Sequence, residues 1–184
     1  MDSLFSLDDQ LAQYRAYHLN PTNVFIHMIF IPQIFFTSFI IVSYINFPQT
    51  EIKLSTIGAI LYSTYYILLS PKMGLLSLPF IGITYLSAIY LESNYLMSTV
   101  LFYAIAVNVG AWAFQFFGHF TFEKKSPAVF DNLVQPLVLA PYFVLFELMF
   151  ALGYEKDLEK SVNKKGKLLR RLLDHPGKAG KKLG

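Results

Sequence analysis

Three histidines and one glutamate have the types and spacing from which a transition-metal site is built. His119 lies near the end of a long stretch without formally charged side chains, and Glu123 follows it four residues later. On a continuing helix, two residues with this spacing share a face. His18 and His27 stand at the entrance to the first long apolar stretch of the chain. Three imidazoles, with or without a carboxylate, suit Fe, Zn, Cu or Ni, and two histidines with one carboxylate suit non-haem Fe(II) and O2.

The same residues have a plainer interpretation as polar groups at a membrane surface. Histidine has an apolar body and a polar tip, so it suits the place where a helix leaves a bilayer. The H-x3-E spacing of His119 and Glu123 is frequent in proteins, and the H-E-x-x-H motif is absent from the sequence. Spacing alone therefore leaves both interpretations open, and it leaves the identity of the metal open as well.

Composition predicts that the elements positioning these residues lie in a membrane. Of the 184 residues, 54% are hydrophobic and 15% are charged, whereas soluble domains carry about 25% charged residues. The chain has no cysteine, which excludes disulfides, thiolate metal ligands and cysteine nucleophiles. Nucleotide-binding glycine loops and the G-x-S-x-G motif of serine hydrolases are also absent.

Hydrophobic patterning predicts an all-α, polytopic membrane protein with about four transmembrane helices. Each apolar stretch is close to the roughly 20 residues that a helix needs to cross a bilayer. The four stretches cover residues 24–47, 54–70, 73–91 and 94–117. A tight turn at residues 71–74 is expected between the second and third stretches, which would make these two an antiparallel hairpin.

Two further elements are expected outside these four helices. Apolar residues at helical spacing predict an amphipathic helix over about residues 6–17. The dipeptide Asn20-Pro21 then predicts the start of the next helix, with the asparagine as its N-cap. Residues 132–146 are uncharged but contain two prolines, which favours a partly embedded, proline-broken element over a full crossing.

Charge asymmetry predicts the orientation of the chain. Residues 155–184 contain ten Lys/Arg and four Asp/Glu, a balance of +6, and basic segments are retained in the cytosol. Four crossings then put both termini in the cytosol and bring His18, His27 and His119 to one membrane face. We expect one membrane-embedded catalytic domain at residues 1–154 and a basic cytosolic tail at residues 155–184. The tail lacks interleaved aromatic residues, so nucleic acid is not an expected partner.

Two blocks of sequence carry a family resemblance. They are YRAYHLNPTNVFIH at residues 14–27 and WAFQFFGHFTFEKKSPAVFDNLVQPLVLAPYF at residues 112–143. Both closely resemble the fungal 2-hydroxy-fatty-acid dioxygenases, which are endoplasmic-reticulum membrane enzymes of fatty-acid α-oxidation in phytosphingosine breakdown. The resemblance covers about residues 5–154. It implies an Fe2+-dependent reaction of a long-chain 2-hydroxy fatty acid with O2, yielding the acid one carbon shorter, CO2 and water.

The resemblance also implies roles for individual residues. The three histidines, His18, His27 and His119, are expected to ligate the iron. Glu123 is expected to be a fourth ligand or the partner that fixes an imidazole tautomer. The residues expected to contact the substrate are Arg15, Asn23, Gln115, Lys124 and Asp131. Helix capping, helix–helix hydrogen bonds and the cytosolic bias of basic residues explain these five side chains without a substrate.

A non-catalytic lipid-binding or scaffold membrane protein is the competing functional class. Membrane lipid is a partner in both classes, but in this one the histidines are interfacial polar residues and hold no metal. A small transporter is disfavoured, because no acid or base lies in the middle of a span to move a coupled charge. Metal content and product formation separate the two remaining classes.

Overall fold

Seven α-helices account for most of the residues that the structure describes. The computed structural model describes residues 6–130 and 134–175, without the side chains of residues 134–136. The helices are α1 (Leu7–Tyr17), α2 (Pro21–Ser43), α3 (Leu54–Leu69), α4 (Pro71–Asn94), α5 (Met97–Gly118), α6 (Val134–Ala151) and α7 (Lys156–Asp174). No β-strand occurs within these residues, so the prediction of an all-α protein is confirmed.

Three of the described helices are long and apolar enough to cross a membrane. They are α2, α4 and the continuous helical segment Met97–Glu123, which extends α5. Helix α3 has 16 residues, and at about 1.5 Å per residue it falls short of the roughly 30 Å hydrocarbon core. The apolar segment Leu137–Ala151 is also short. The number of crossings and the cytosolic placement of the termini therefore stay predictions.

The starts of the first two helices differ in how they are capped. The side-chain oxygen of Asn20 accepts a hydrogen bond from the Thr22 amide at 2.9 Å, and Pro21 is the first residue of α2. The predicted Asn20-Pro21 helix start is confirmed. At the start of α1, the Ser6 hydroxyl donates to the Asp9 carboxylate at 2.8 Å instead of capping a backbone amide.

The predicted turn at residues 71–74 is wrong. Pro71 to Gly74 form the first turn of α4, and Ser70 alone separates α3 from α4. Proline is well suited to the first helical position, because its missing N–H has no acceptor there in any case. The absence of a side chain at Gly74 lets the two helices touch, since a Cβ there would lie 2.5 Å from the Ile67 Cα.

The described chain divides into two compact units. One joins the residues up to Phe25 to those from Gly118 onward, and the other runs from Ile26 to Phe117. In the first unit, α1 packs against α7 and α6. In the second, α3 packs against α4. Many large apolar side chains of the second unit are exposed, including Ile83 at 66% and Phe102 at 68%, which is the surface expected of helices in contact with lipid.

Substitution of Gly74 tests the close contact between α3 and α4. The added methyl group of Gly74→Ala meets the backbone of Ile67, which cannot rotate away as a side chain can. We expect the substitution to cost about 1–3 kcal/mol, as overpacking generally does. Thermal unfolding of the purified protein in detergent measures this as a lower melting temperature.

Gly82→Ala is the matched control, because Gly82 is also within α4 and a Cβ there meets no described atom within 4 Å. Alanine is favoured over glycine inside a helix by about 0.5–1 kcal/mol, so this variant should melt at the wild-type temperature or higher. Equal melting temperatures for the two variants would contradict the close approach at Gly74.

Candidate metal centre

His18 is held at the end of α1 by the turn that precedes it. Its Nδ1 lies 2.7 Å from the Tyr14 carbonyl oxygen, so Nδ1 carries the hydrogen and the neutral ring presents Nε2 as its acceptor atom. The Tyr14 ring stacks on the imidazole, with centroids 4.0 Å apart and planes inclined by 10°. Burial raises the pKa of the Tyr14 hydroxyl, which keeps this stacked ring neutral.

His119 begins a turn of π-helix that continues α5. The π turn covers His119–Glu123 and ends at Lys124, whose left-handed backbone (φ 52°) closes it with a hydrogen bond to the His119 carbonyl. Such wide turns are rare within helices and occur frequently at functional sites. The His119 ring meets His18 edge-on, with ring centroids 4.8 Å apart. Both rings are only 3% exposed.

The third histidine completes a cluster of three. Helix α2 carries Asn23 and, one turn later, His27, which is 3% exposed. One ring nitrogen from each of His18, His27 and His119 lies within 4.8 Å of the others. The three histidines that the sequence singles out are thus brought together and buried.

The chemistry of this donor set fits a divalent transition metal. Nitrogen ligands about 2.1 Å from one metal ion lie about 3–3.5 Å apart, and the three nitrogens of the cluster, within 4.8 Å of one another, are close to that spacing. Neutral imidazoles are ligands for Fe, Zn, Cu and Ni, and hard cations such as Mg2+ and Ca2+ prefer oxygen. Three protein ligands also leave coordination positions open for small molecules.

The Glu123 carboxylate is bound by other parts of the protein. One carboxylate oxygen accepts hydrogen bonds from the Asn20 backbone amide at 2.8 Å and from the Asn23 side-chain amide at 3.4 Å. The second accepts one from the Arg170 guanidinium at 3.2 Å. The cluster of possible ligand atoms comprises the three histidines without Glu123. Whether Glu123 also ligates a metal stays a prediction, and its contacts tie the π turn to the start of α2.

Arg15 is engaged in a buried ion pair. Its guanidinium binds the Glu147 carboxylate of α6, and the two side chains are 10% and 12% exposed. The same guanidinium lies 5.1 Å from the centre of the Phe143 ring. These contacts join α1 to α6. Contact between Arg15 and a substrate stays a prediction.

The remaining candidates for substrate contact lie in different surroundings. Gln115 is 4% exposed, and its Nε2 has no hydrogen-bond partner among the described residues. It precedes His119 by four residues in the sequence, and an unsatisfied buried amide costs about 1–3 kcal/mol. Contact between Gln115 and a substrate stays a prediction. Lys124 is exposed, and Asp131 lies outside the described residues.

Sequence reasoning missed one residue of this neighbourhood, Arg170. In the sequence, Arg170 is one of ten cationic residues in the segment 155–184. The signal that distinguishes it is the spacing of four residues that puts Val162, Gly166 and Arg170 on one face of α7, where the first two are buried.

Comparisons with known proteins identify the family that the chain matches. The model of a family described as 2-hydroxy-palmitic acid dioxygenase Mpo1-like matches residues 4–152. The chain is 37% identical over 161 residues to the protein named 2-hydroxy-palmitic acid dioxygenase MPO1 from Saccharomyces cerevisiae (strain ATCC 204508 / S288c), covering 88% of this chain and 90% of that protein. No solved structure matches the chain. The family match contains all three histidines and ends before α7.

The ion pair of Arg15 and Glu147 provides a test of what Arg15 does. Arg15→Met leaves the Glu147 carboxylate buried without its cation, which costs about 3–5 kcal/mol in comparable pairs. The double variant Arg15→Met/Glu147→Leu removes both charges and should recover most of that loss. The measurement is the unfolding free energy in one detergent.

Lys164→Met is the control for this test, since it removes an exposed cation of α7 and should change stability by no more than about 0.5 kcal/mol. If Arg15→Met left stability unchanged and impaired only turnover, the structural role of the ion pair would be contradicted and a substrate contact favoured.

Proposed function

The chain belongs to the family of 2-hydroxy-palmitic acid dioxygenase Mpo1-like proteins, and from that premise we propose that it is an Fe2+-dependent dioxygenase of long-chain 2-hydroxy fatty acids. The iron would be held by His18, His27 and His119, and the protein would act in the endoplasmic-reticulum membrane. The observation that carries this proposal is the buried cluster of three histidines in a chain whose sequence matches that family over residues 4–152.

The proposed reaction balances without a further redox partner. A 2-hydroxy acid, RCH(OH)COOH, and O2 give RCOOH, CO2 and H2O. The bond between the carboxyl carbon and C2 breaks, C2 becomes the new carboxyl carbon, and the four electrons that reduce O2 come from the substrate. The absence of nucleotide-binding motifs from the sequence is consistent with a reaction that needs no nicotinamide or flavin.

The residues around the three histidines have distinct tasks in this proposal. When bound, Fe2+ supplies Lewis acidity and one-electron chemistry with O2. The Tyr14 carbonyl holds His18 in the tautomer that offers Nε2 as a ligand. The Gln115 amide, which is buried without a described partner, would donate a hydrogen bond to the carboxylate or hydroxyl of the substrate and so orient it.

The membrane setting suits an amphiphilic substrate. A 2-hydroxy fatty acid keeps its polar head at the bilayer interface and its acyl chain in the hydrocarbon core. The exposed apolar side chains of α4 and α5 support a protein surrounded by lipid, in which the acyl chain need not leave the bilayer.

Product analysis tests the reaction. Purified protein loaded with Fe2+ under anaerobic conditions should convert 2-hydroxypalmitate under air to pentadecanoic acid and an equal amount of CO2, without 2-oxoglutarate or a nicotinamide. Under argon no product should form. A protein that binds the fatty acid but forms no pentadecanoic acid under air belongs to the non-catalytic lipid-binding class instead.

Histidine substitution tests the metal site. His119→Ala removes one of three ligands and should abolish both stoichiometric iron, measured by elemental analysis, and turnover. His175→Ala is the matched control, because His175 is the exposed residue at the end of α7 and should keep wild-type iron content. Undiminished iron in His119→Ala would refute the proposed ligand set.

A further inference from the structure

Helix α7 presents one face to the rest of its unit, although it lies beyond residues 4–152 that match the family model. Val162 and Gly166 are buried on this face, and Arg170 follows four residues later. A Cβ on Gly166 would lie 2.5 Å from Cγ of Arg15 and 3.3 Å from the Ala12 carbonyl oxygen. The missing side chain thus lets α7 lie directly on α1, which brings Arg170 to the end of that helix.

The Arg170 guanidinium connects the segments that carry two of the histidines. One terminal nitrogen, Nη1, donates to the Ala16 carbonyl oxygen at 3.2 Å, two residues before His18. The same nitrogen donates to the Glu123 carboxylate, and Nη2 donates to the Glu123 carbonyl oxygen at 3.0 Å. The latter contact lies at the end of the π turn that begins with His119.

Hydrogen bonds to Asp174 fix the orientation of the Arg170 guanidinium. Its Nε donates to the two oxygens of the Asp174 carboxylate at 3.2 and 3.1 Å. Lys125 donates to the same carboxylate at 2.9 Å, and this hydrogen bond lowers the pKa of Asp174. The Arg170 side chain is 15% exposed. Its contacts use Nε, Nη1 and Nη2, which only the planar fork of arginine provides.

Arg170 also supplies the positive charge that the Glu123 carboxylate needs. The Glu123 side chain is 3% exposed, and a carboxylate at such a site is costly unless a cation and hydrogen bonds accompany it. Asn20 and Asn23 contact the other oxygen, and they lie at the start of α2, ahead of His27. With Arg170 in place, the Glu123 carboxylate can accept hydrogen bonds at the start of α2, while Glu123 itself remains the last residue of the π turn that begins with His119.

We propose that Arg170 is a positioning residue of the metal centre, and that α7 is therefore a working part of the dioxygenase and not an accessory basic tail. The inference rests on the proposed function, because it takes the three histidines to be the iron ligands. Through the Ala16 and Glu123 carbonyls, Arg170 holds the backbone two residues before His18 and the end of the π turn that begins with His119. It also holds the Glu123 carboxylate beside the start of α2. Groups that hydrogen-bond directly to metal ligands commonly affect metal affinity 10- to 100-fold, and this range sets the scale expected for Arg170, which acts through the neighbouring backbone and Glu123.

Cobalt binding tests this role without relying on turnover. The full-length, metal-free protein in detergent is titrated with Co2+, whose visible absorption reports both affinity and the geometry of its ligands. Arg170→Gln should weaken Co2+ binding roughly 10- to 100-fold and change the absorption spectrum. Arg171→Gln removes the same charge from the adjacent, exposed position on α7 and should leave affinity and spectrum at their wild-type values.

A second variant separates positioning from folding. Arg170→Lys keeps the charge but loses the fork, so it should lower the melting temperature of the metal-free protein less than Arg170→Gln does and still bind Co2+ more weakly than the wild-type protein. Wild-type affinity and spectrum in folded Arg170→Gln, or in Arg170→Lys if the glutamine variant does not fold, would overturn the inference. Failure of the wild-type protein to bind either Co2+ or Fe2+ would instead overturn the proposed metal centre on which the inference rests.

Discussion

A carboxylate buried away from water is stable only when hydrogen-bond donors and a cation surround it, and Glu123 imposes this requirement on the protein. Its partners are the Asn20 amide, the Asn23 side chain and the Arg170 guanidinium. They come from the start of α2 and from α7, while Glu123 itself ends the π turn that follows α5. Satisfying this one charge therefore requires three parts of the chain to be in place together. Loss of any donor would leave the charge undercompensated, which makes the arrangement cooperative.

The backbone between His119 and Lys124 has two unusual features. A π turn is wider than an α turn, and it is closed here by a left-handed residue, Lys124. Both features are unfavourable in an ordinary helix. They occur directly after α5, where His119 and Glu123 are separated by four residues. The hydrogen bonds of Glu123 and Arg170 offset the local cost by binding the end of the turn.

Glu123 and its polar partners differ in character from the apolar helices that precede them in the sequence. Helices α4 and α5 expose large hydrophobic side chains, whereas the unit that contains His18 and His119 combines an apolar core with ion pairs that are shielded from solvent. Arg15 with Glu147 and Arg170 with Glu123 both have limited access to solvent. Such pairs contribute less to stability than to a single arrangement of the groups, because each partner is costly anywhere else. A defined arrangement is what a metal site with open coordination positions needs.

Local rules were sufficient for helices α1 to α5 and for the candidate ligands, but not for α6, which continues through Pro141, or for α7. Apolar stretches of about membrane length predicted helices in the right places, and Asn20-Pro21 predicted the start of α2, because capping depends on adjacent residues only. The same rules failed at residues 71–74, where proline begins a helix instead of making a turn. Residue chemistry singled out His18, His27 and His119, since few other side chains bind a transition metal.

The partners of the charged residues were decided by the tertiary structure alone. Arg15 binds Glu147, which is 132 residues away, and Glu123 binds Arg170, 47 residues further along the chain. No local pattern encodes either pair, because the free energy of a buried charge depends on which segments pack around it and exclude water. Local sequence patterns were enough for helices α1 to α5, for the apolar character of the chain and for the candidate metal-binding residue types. Packing decided which cation and which amides meet Glu123, and thereby which residues of the C-terminal helix take part in the site.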